Sequence, residues 1–212
     1  HELRTPLTAL TLQVQLAARA QSEDERAIAL ERLEHGVKRA TRLVQQLLTM
    51  ARLDPESAQT PAAPVDLSIL AKTVVDELQP LAAQKSIVLE VDAPASVWVL
   101  SQGDALRILL TNLIDNAIRY TATSGRVDVD VQLGDATAQV IVQDNGPGIP
   151  IDERERVFDR FYRGRDAAAG GSGLGLAIVR QIAALHGGRV ELLGTESGGL
   201  RALASFPAAS AP

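Results

Sequence analysis

The sequence predicts two parts of different fold class, an α-helical hairpin followed by an α+β sandwich. Three observations support this prediction. Apolar residues recur at alternating steps of four and three through residues 3–51, which is the spacing of amphipathic helices. A stretch with three prolines then interrupts the pattern, and beyond it helix-like and strand-like segments follow one another. We expect the hairpin in residues 1–54, a linker in residues 55–64 and the sandwich in residues 65–212.

Each helix of the predicted hairpin carries an apolar stripe that needs a partner. The stripe of the first helix comprises Leu3, Leu7, Leu10, Val14 and Ala17. The second helix follows a capping serine, Ser22, and an acidic first turn, and its stripe comprises Leu30, Leu33, Val37, Ala40, Val44, Leu47 and Ala51. A second row, Ile28, Leu43 and Leu48, makes this face wider than one neighbouring helix can cover. We therefore expect a homodimer whose hairpins form a four-helix bundle.

The predicted sandwich mixes helical and strand patterns. Helices are expected near residues 66–84, 104–120 and 174–185. Strands are expected near residues 87–91, 97–100, 127–131, 138–142, 189–193 and 200–206. Such a mixture is typical of helices packed on one sheet.

Composition bounds the possible functions. Of the 212 residues 46% are hydrophobic, which is enough to build cores, and there is no cysteine for disulfides or thiolate metal sites. The net charge is −5 without a long basic run, so we expect no nucleic-acid partner. No apolar stretch reaches the roughly 18 residues that a membrane helix needs. Because the chain begins with His and not Met, we expect any membrane segment upstream.

The first ten residues place a possible nucleophile beside an acid/base group. A neutral His1 ring can attack phosphorus, and this form is abundant near neutral pH. Glu2 could accept a hydrogen bond from the other ring nitrogen, and Thr5 lies on the same helix face as His1, where its hydroxyl could orient a water. Pro6 removes a helical hydrogen bond beside the reacting residue. Without this context, a single terminal histidine would be an ordinary surface residue.

Two polar clusters indicate a site for a phosphate donor. Asn112 and Asn116 share one helix face, and amide oxygens are hard ligands suited to Mg²⁺. Asp144 follows an apolar strand, where it could accept the exocyclic amine of adenine, and Gly146 and Gly148 let the backbone approach a ligand closely. Each cluster also has a structural alternative, namely amides bonded within the protein and an Asp-Asn-Gly turn between strands.

A glycine-rich loop and an aromatic segment complete the pattern. Bare backbone amides and a helix N-terminus converge in the run Gly171, Ser172, Gly173, Leu174 and Gly175, an arrangement that suits triphosphate. The segment 157–163 contains two of the three phenylalanines and could hold a flexible lid while Arg163 reaches the γ-phosphate, or its rings could simply fill a core. No lysine follows a glycine, which excludes a Walker A loop, and the sequence motifs of eukaryotic-type protein kinases are absent.

In their order along the chain, these five motifs resemble the cytoplasmic core of a bacterial sensor histidine kinase. The resemblance implies an ATP-binding sandwich of the Bergerat (GHKL) type, which gyrase, Hsp90 and MutL share. It also implies roles for matching residues. His1 would be the phosphoacceptor, Glu2 the acid/base and Thr5 a residue for dephosphorylation of the partner. Asn116 would bind Mg²⁺ and Asp144 would anchor adenine, and Arg119 and Tyr120 would contact the phosphates and the adenine.

The resemblance further implies a place in two-component signalling. With ATP and Mg²⁺ bound to the sandwich, His1 would be phosphorylated in cis or in trans, and the phosphoryl group would pass to an aspartate in a response regulator receiver domain. The protein would also be a phosphatase of that regulator and would be anchored in the bacterial inner membrane through an upstream segment. Two other classes stay open, a different ATPase of the Bergerat group and an inert scaffold for a regulator.

Overall fold

The computed structural model describes residues 4–52, 61–93, 96–164, 171–196 and 198–211, and divides the chain into two compact units near residue 51. In chain order the helices and strands are α1 (Arg4–Arg19), α2 (Glu23–Arg52), β1 (Ala63–Asp66), α3 (Leu67–Gln84), β2 (Val88–Asp92), β3 (Trp98–Ser101), α4 (Gly103–Tyr120), β4 (Arg126–Leu133), β5 (Thr137–Asp144), α5 (Gly175–Leu185), β6 (Arg189–Gly194) and β7 (Leu200–Pro207). The predicted fold class, a helical region followed by an α/β sandwich, is confirmed.

The first unit consists of α1 and α2, which a short connection joins. The predicted cap of α2 is present, because Ser22 Oγ accepts a hydrogen bond from the Glu25 amide at 3.2 Å. Glu25 Oε2 in turn accepts one from the Gln21 amide at 2.9 Å, so two free donors at the helix start are satisfied. Much of the predicted apolar stripe remains open to solvent within one chain, with Leu7 56% and Val14 51% exposed.

The second unit is built on a five-stranded sheet in the order β2-β4-β5-β7-β6. The β2–β4 pair is parallel, and the other three pairs are antiparallel. Alternate residues of β4, Val127, Val129 and Val131, are buried on the side of the sheet that α3, α4 and α5 cover. This face, together with the buried stripe of α4, forms the core and holds the ends of α4, β5 and α5 in place.

Three elements were not predicted. Two are short 3-10 helices, Ile151–Glu153 and Arg156–Phe158, which follow β5. The third is β1, which pairs antiparallel with β3 and includes Ala63 and Pro64, residues that the sequence placed in the linker. Proline is tolerated in such a two-stranded ribbon because an edge strand leaves part of its backbone unpaired. The proline-rich pattern, which is typical of a linker, therefore did not predict β1.

Among the described residues, no helix has the length and apolarity needed to cross a bilayer.

Candidate functional site

Asp144, the last residue of β5, is a buried and fixed carboxylate. It is 7% exposed, and its Oδ1 accepts hydrogen bonds from the amides of Gly146 at 2.9 Å and Leu200 at 3.3 Å. Burial raises the pKa of Asp144, and the two amides partly oppose that rise. Because both bonds use Oδ1, neither occupies Oδ2. The residue therefore has a fixed orientation and one oxygen that neither amide uses.

The loop after Asp144, residues 145–148, needs its glycines for close packing against the protein itself. A Cβ atom at Gly146 would lie 3.0 Å from Asp144 Oδ1 and 3.0 Å from the carbonyl oxygen of Tyr120. Gly148 has a φ of +70°, and a Cβ atom there would lie 2.6 Å from the carbonyl oxygen of Gly198. The glycines thus allow close packing of this loop within the protein, and the approach of its backbone to a ligand stays a prediction.

The two asparagines of α4 face the beginning of α5. Asn112 is 8% exposed, and its Nδ2 donates to the Ile108 carbonyl at 2.8 Å, as the structural alternative for this residue expected. Asn116 is half-buried, and its side-chain amide has no hydrogen-bond partner in the described part of the chain. A Cβ atom at Gly175 would lie 3.1 Å from Asn112 Oδ1 and 3.3 Å from Asn116 Nδ2. Two motifs about sixty positions apart in the sequence therefore meet.

The last turn of α4 borders both glycine loops. Tyr120 is half-buried, and its hydroxyl oxygen lies 3.2 Å from the position of a Cβ atom at Gly171. Arg119 Nη2 lies 3.5 Å from Asp115 Oδ2 on the same helix. Through Tyr120, the end of α4 thus contacts the glycine-rich loop and the loop that follows Asp144, while Asn112 and Asn116 contact the start of α5.

Within the glycine-rich loop, residues 171–175, backbone geometry explains the glycine at position 173. Gly173 has a φ of +71°, and a Cβ atom there would lie 2.7 Å from the Tyr162 carbonyl oxygen. Ser172 Oγ accepts a hydrogen bond from the Leu174 amide at 3.2 Å. The Leu174 side chain is fully buried at the start of α5, so it is not accessible to a ligand.

The aromatic segment 157–163 is held to the sandwich by contacts that the sequence did not reveal. Phe158 is buried, and the guanidinium of Arg180 lies 5.0 Å from its ring centre while Arg180 Nη2 donates to its carbonyl at 3.3 Å. The Phe161 amide donates to the Gly173 carbonyl at 2.9 Å, which ties this segment to the glycine-rich loop. Arg163 is exposed.

The structure does not test the predicted phosphoacceptor residues. His1 and Glu2 lie outside the described residues, and of Thr5 only the backbone is described, within α1. Their roles stay predictions.

The side-chain oxygen of Asn116 fits a magnesium ion that is already bound to the phosphates of a ligand. The parts of the chain that the structure describes contain no cluster of three or more His, Cys, Asp or Glu side chains able to hold a metal ion. A single neutral amide oxygen such as that of Asn116 would therefore depend on phosphate oxygens and water to complete the shell, which is how Mg²⁺ is commonly bound in nucleotide sites.

Comparisons with known proteins agree with this geometry. Residues 101–210 match the family of histidine kinase-, DNA gyrase B- and HSP90-like ATPases, and residues 1–56 match the His kinase A (phospho-acceptor) domain. The chain is 37% identical to the sensor protein kinase PmrB of Pseudomonas aeruginosa, over 98% of this chain and 44% of that protein. It is 40% identical to the sensor protein QseC of Escherichia coli K12, over 97% of this chain and 45% of that protein.

A solved structure is also similar over the whole chain. Full-length ShkA in complex with AMPPNP is 31% identical and superposes with a TM-score of 0.73, over 100% of this chain and 45% of that one. The chain thus spans less than half the length of the curated relatives given above. Because both domain matches occur in the predicted order and the nucleotide motifs converge in space, the chain belongs to the sensor histidine kinase family of bacterial two-component systems.

Proposed function

We propose that this chain is the catalytic core of an ATP-dependent protein-histidine kinase, which phosphorylates His1 and then transfers the phosphoryl group to an aspartate in a response regulator receiver domain. The observation that carries the proposal is that α4 contacts both glycine loops. Its asparagines lie beside Gly175, and Tyr120 lies beside Gly171 and beside Gly146, whose amide donates to Asp144. These residues come from distant parts of the sequence, and a turn or a helix cap alone gives no reason for them to meet.

For the nucleotide, we propose that Asp144 accepts the adenine amine through Oδ2, since both backbone bonds use Oδ1. The glycine-rich loop at the start of α5 would offer backbone amides to the phosphates, with the Ser172 hydroxyl beside them. The AMPPNP bound to ShkA supports a nucleotide in this family. Gly146 and Gly148 would contribute by allowing close packing, and Leu174 through its backbone.

The charged and amide groups would act on the phosphates. Asn116, whose side-chain amide has no partner among the described residues, would ligate Mg²⁺ through Oδ1. The bound ion would neutralise phosphate charge. Arg119 and Tyr120 would contact the phosphates and the adenine, and the exposed Arg163 would reach the γ-phosphate.

In the transfer step, a neutral nitrogen of His1 would attack the γ-phosphorus. A nitrogen–phosphorus bond forms while the bond between the γ-phosphorus and the bridging oxygen breaks, and ADP leaves with the electron pair. Glu2 would hold the other ring nitrogen and take its proton. The protein would contribute positioning and charge neutralisation.

We further propose the assembly and setting of the kinase. The exposed Leu7 and Val14 of α1 support a homodimer through the helical unit. Residues 1–54 would be the hairpin, 55–64 the linker, whose last two residues enter β1, and 65–212 the ATP-binding domain. Thr5 would support dephosphorylation of the regulator. Relatives named sensor proteins support a core on the cytoplasmic side of the inner membrane, anchored through a segment outside this chain.

Radiolabelled ATP tests the proposal on the full-length protein that contains this chain. We expect an acid-labile, base-stable label on the protein that is lost in His1→Gln, and nucleotide binding that is lost in Asp144→Asn. Hydrolysis of ATP without protein label would instead support a different ATPase of the same group, and absence of nucleotide binding would support a scaffold.

A further inference from the structure

Lys85 caps a helix to which it does not belong. It follows α3, and its ammonium donates hydrogen bonds to the carbonyl oxygens of Ile118 at 2.9 Å, Arg119 at 2.9 Å and Thr121 at 2.6 Å. An ammonium has three N–H donors, so all of them are engaged. The three acceptors are the carbonyls at the C-terminal end of α4.

This end of α4 lacks the usual means of termination. The residue after the helix, Thr121, is extended and is not a glycine in the left-handed conformation that often closes a helix. The basic side chain of the last turn, Arg119, faces Asp115. The last carbonyls of a helix have no partner within it and form the negative end of its dipole. Lys85 supplies both the hydrogen bonds and the positive charge that are missing there.

The backbone of Lys85 is fixed as well. Its amide donates to the Ala82 carbonyl at 3.0 Å, and its own carbonyl accepts from the Ser124 amide at 3.0 Å. The backbone of Lys85 is therefore attached at one side to α3 and at the other to the turn that leads into β4. A side chain anchored in this way holds the α4 terminus in one arrangement and is not a mobile surface charge.

The capped turn carries residues that border the nucleotide site. Tyr120 lies between two of the carbonyls that Lys85 binds, while its own carbonyl packs against Gly146 and its hydroxyl against Gly171. We propose that Lys85 is a positioning residue for the nucleotide, fixing the last turn of α4 so that Tyr120 and Arg119 meet ATP without reordering. The inference rests on the proposed function, because it presumes that ATP binds there.

Substitutions at two lysines of the same region test this role. Lys85→Met keeps the length of the side chain and removes its donors, and Lys85→Arg restores a cation with several donors. Lys72→Met is the matched control, since Lys72 lies on α3 with an exposed side chain for which the structure gives no contact within its described parts. Binding of AMPPNP with Mg²⁺ to the full-length protein is measured by calorimetry, and autophosphorylation is measured against ATP concentration.

We expect Lys85→Met to weaken AMPPNP binding and to raise KM for ATP by about tenfold, the effect of a lost charged hydrogen-bond network. The rate at saturating ATP should stay within about twofold, because the reacting groups are unchanged. Lys85→Arg should recover most of the affinity, and Lys72→Met should match the wild type.

Each other outcome is decisive. If the wild-type protein binds no AMPPNP, the proposed function fails and this inference fails with it. If the wild type binds and a folded Lys85→Met binds equally well, or loses rate with KM unchanged, only the role of Lys85 is overturned. If Lys85→Met does not fold, Lys85→Ala, which also lacks donors, replaces it. Wild-type affinity in a folded Lys85→Ala, or failure of both variants to fold, also overturns the positioning role.

Discussion

The helical unit and the sandwich use the same helical spacing with different outcomes. In α1, Leu7 and Val14 of the stripe remain about half exposed, whereas Leu106 and Leu109 in α4 are buried under the sheet. The sandwich therefore covers its apolar stripe within one chain, and the helical unit leaves part of its stripe exposed. Because burial of apolar area drives both folding and association, the stripe of α4 stabilises the fold itself, and the stripe of α1 would favour the proposed assembly.

Truncation of a buried residue in the sandwich should give a large loss that does not depend on protein concentration. For Leu106→Ala we expect the free energy of unfolding to fall by about 3 kcal/mol, since a fully buried leucine leaves a cavity. Trp98, the single tryptophan, lies in β3 and reports the unfolding of this unit by fluorescence. Leu133→Ala, at an exposed position of β4, should cost less than about 0.5 kcal/mol, and equal losses would contradict the assignment of Leu106 to the buried core.

A charge on the open stripe should instead act on assembly. Val44→Asp places a carboxylate on the exposed apolar face of α2, and we expect the dissociation constant of the dimer to rise by at least about tenfold in sedimentation equilibrium. Gln45→Asp adds the same charge at the next residue, away from the stripe, and should change it little. Trp98 fluorescence should show an unchanged sandwich. A dimer unaffected by Val44→Asp would contradict the proposed helical interface.

A substitution in α5 tests how the aromatic segment 157–163 is held to the sandwich. Arg180→Ala removes the guanidinium that contacts the Phe158 ring and carbonyl, and we expect the segment 157–163 to open more easily by about 1 kcal/mol. Hydrogen exchange of these amides measures the effect. Arg189→Ala, whose exposed guanidinium pairs with Glu191 at 3.0 Å on the same strand, is the control. Equal exchange in both variants would show that Arg180 does not hold the segment.

The pH dependence of stability should have opposite signs in the two units. Because burial raises the pKa of Asp144 above its ordinary value of 3.8, this carboxyl contributes stability when it is protonated and loses that contribution as the pH rises through its raised pKa in the folded state. The Tm of Asp144→Asn minus that of the wild type should therefore increase from pH 3.8 upward, until the pH passes the folded-state pKa.

In α2 the pKa of Glu34 is lowered, chiefly by its hydrogen bond with Lys38. A lowered pKa contributes stability above the ordinary value and loses it as the pH falls through the folded-state pKa. For Glu34→Gln the Tm difference should therefore decrease toward neutral pH. Because this pair is exposed, its effect should be the smaller of the two. Differences of the same sign for Glu34→Gln and Asp144→Asn would contradict the electrostatic contrast between the units.

Much of the fold followed from local patterns. The limits of α3, α4 and α5 and of the five strands of the main sheet lie within a few residues of those predicted, because apolar period and turn residues are local properties. Strand β1 was missed because Ala63 and Pro64 follow a proline-rich stretch, and only pairing with β3 makes them a strand. The short 3-10 helices have too few residues to show a period.

The residues proposed for the site carry sequence motifs, whereas the residues that support them do not. Asp144, Asn116 and the glycine-rich loop carry recognisable motifs. Arg180 and Lys85 do not, because each acts through contacts with residues far away in the chain. The amide of Leu200, which orients Asp144, belongs to a strand start that no side-chain pattern distinguishes.

The sequence by itself determined the order of motifs, the residue types of the proposed nucleotide site and the apolar stripes of the helices, since residue types and their spacing carry that information. Only the tertiary structure decided which stripe is buried within one chain and which stays open. It also decided that the carbonyls ending α4 are bonded by Lys85, a residue 33 to 36 positions earlier. The physical reason is that burial and hydrogen bonding depend on which groups lie close together in the folded protein, and the separation of residues along the sequence does not determine this.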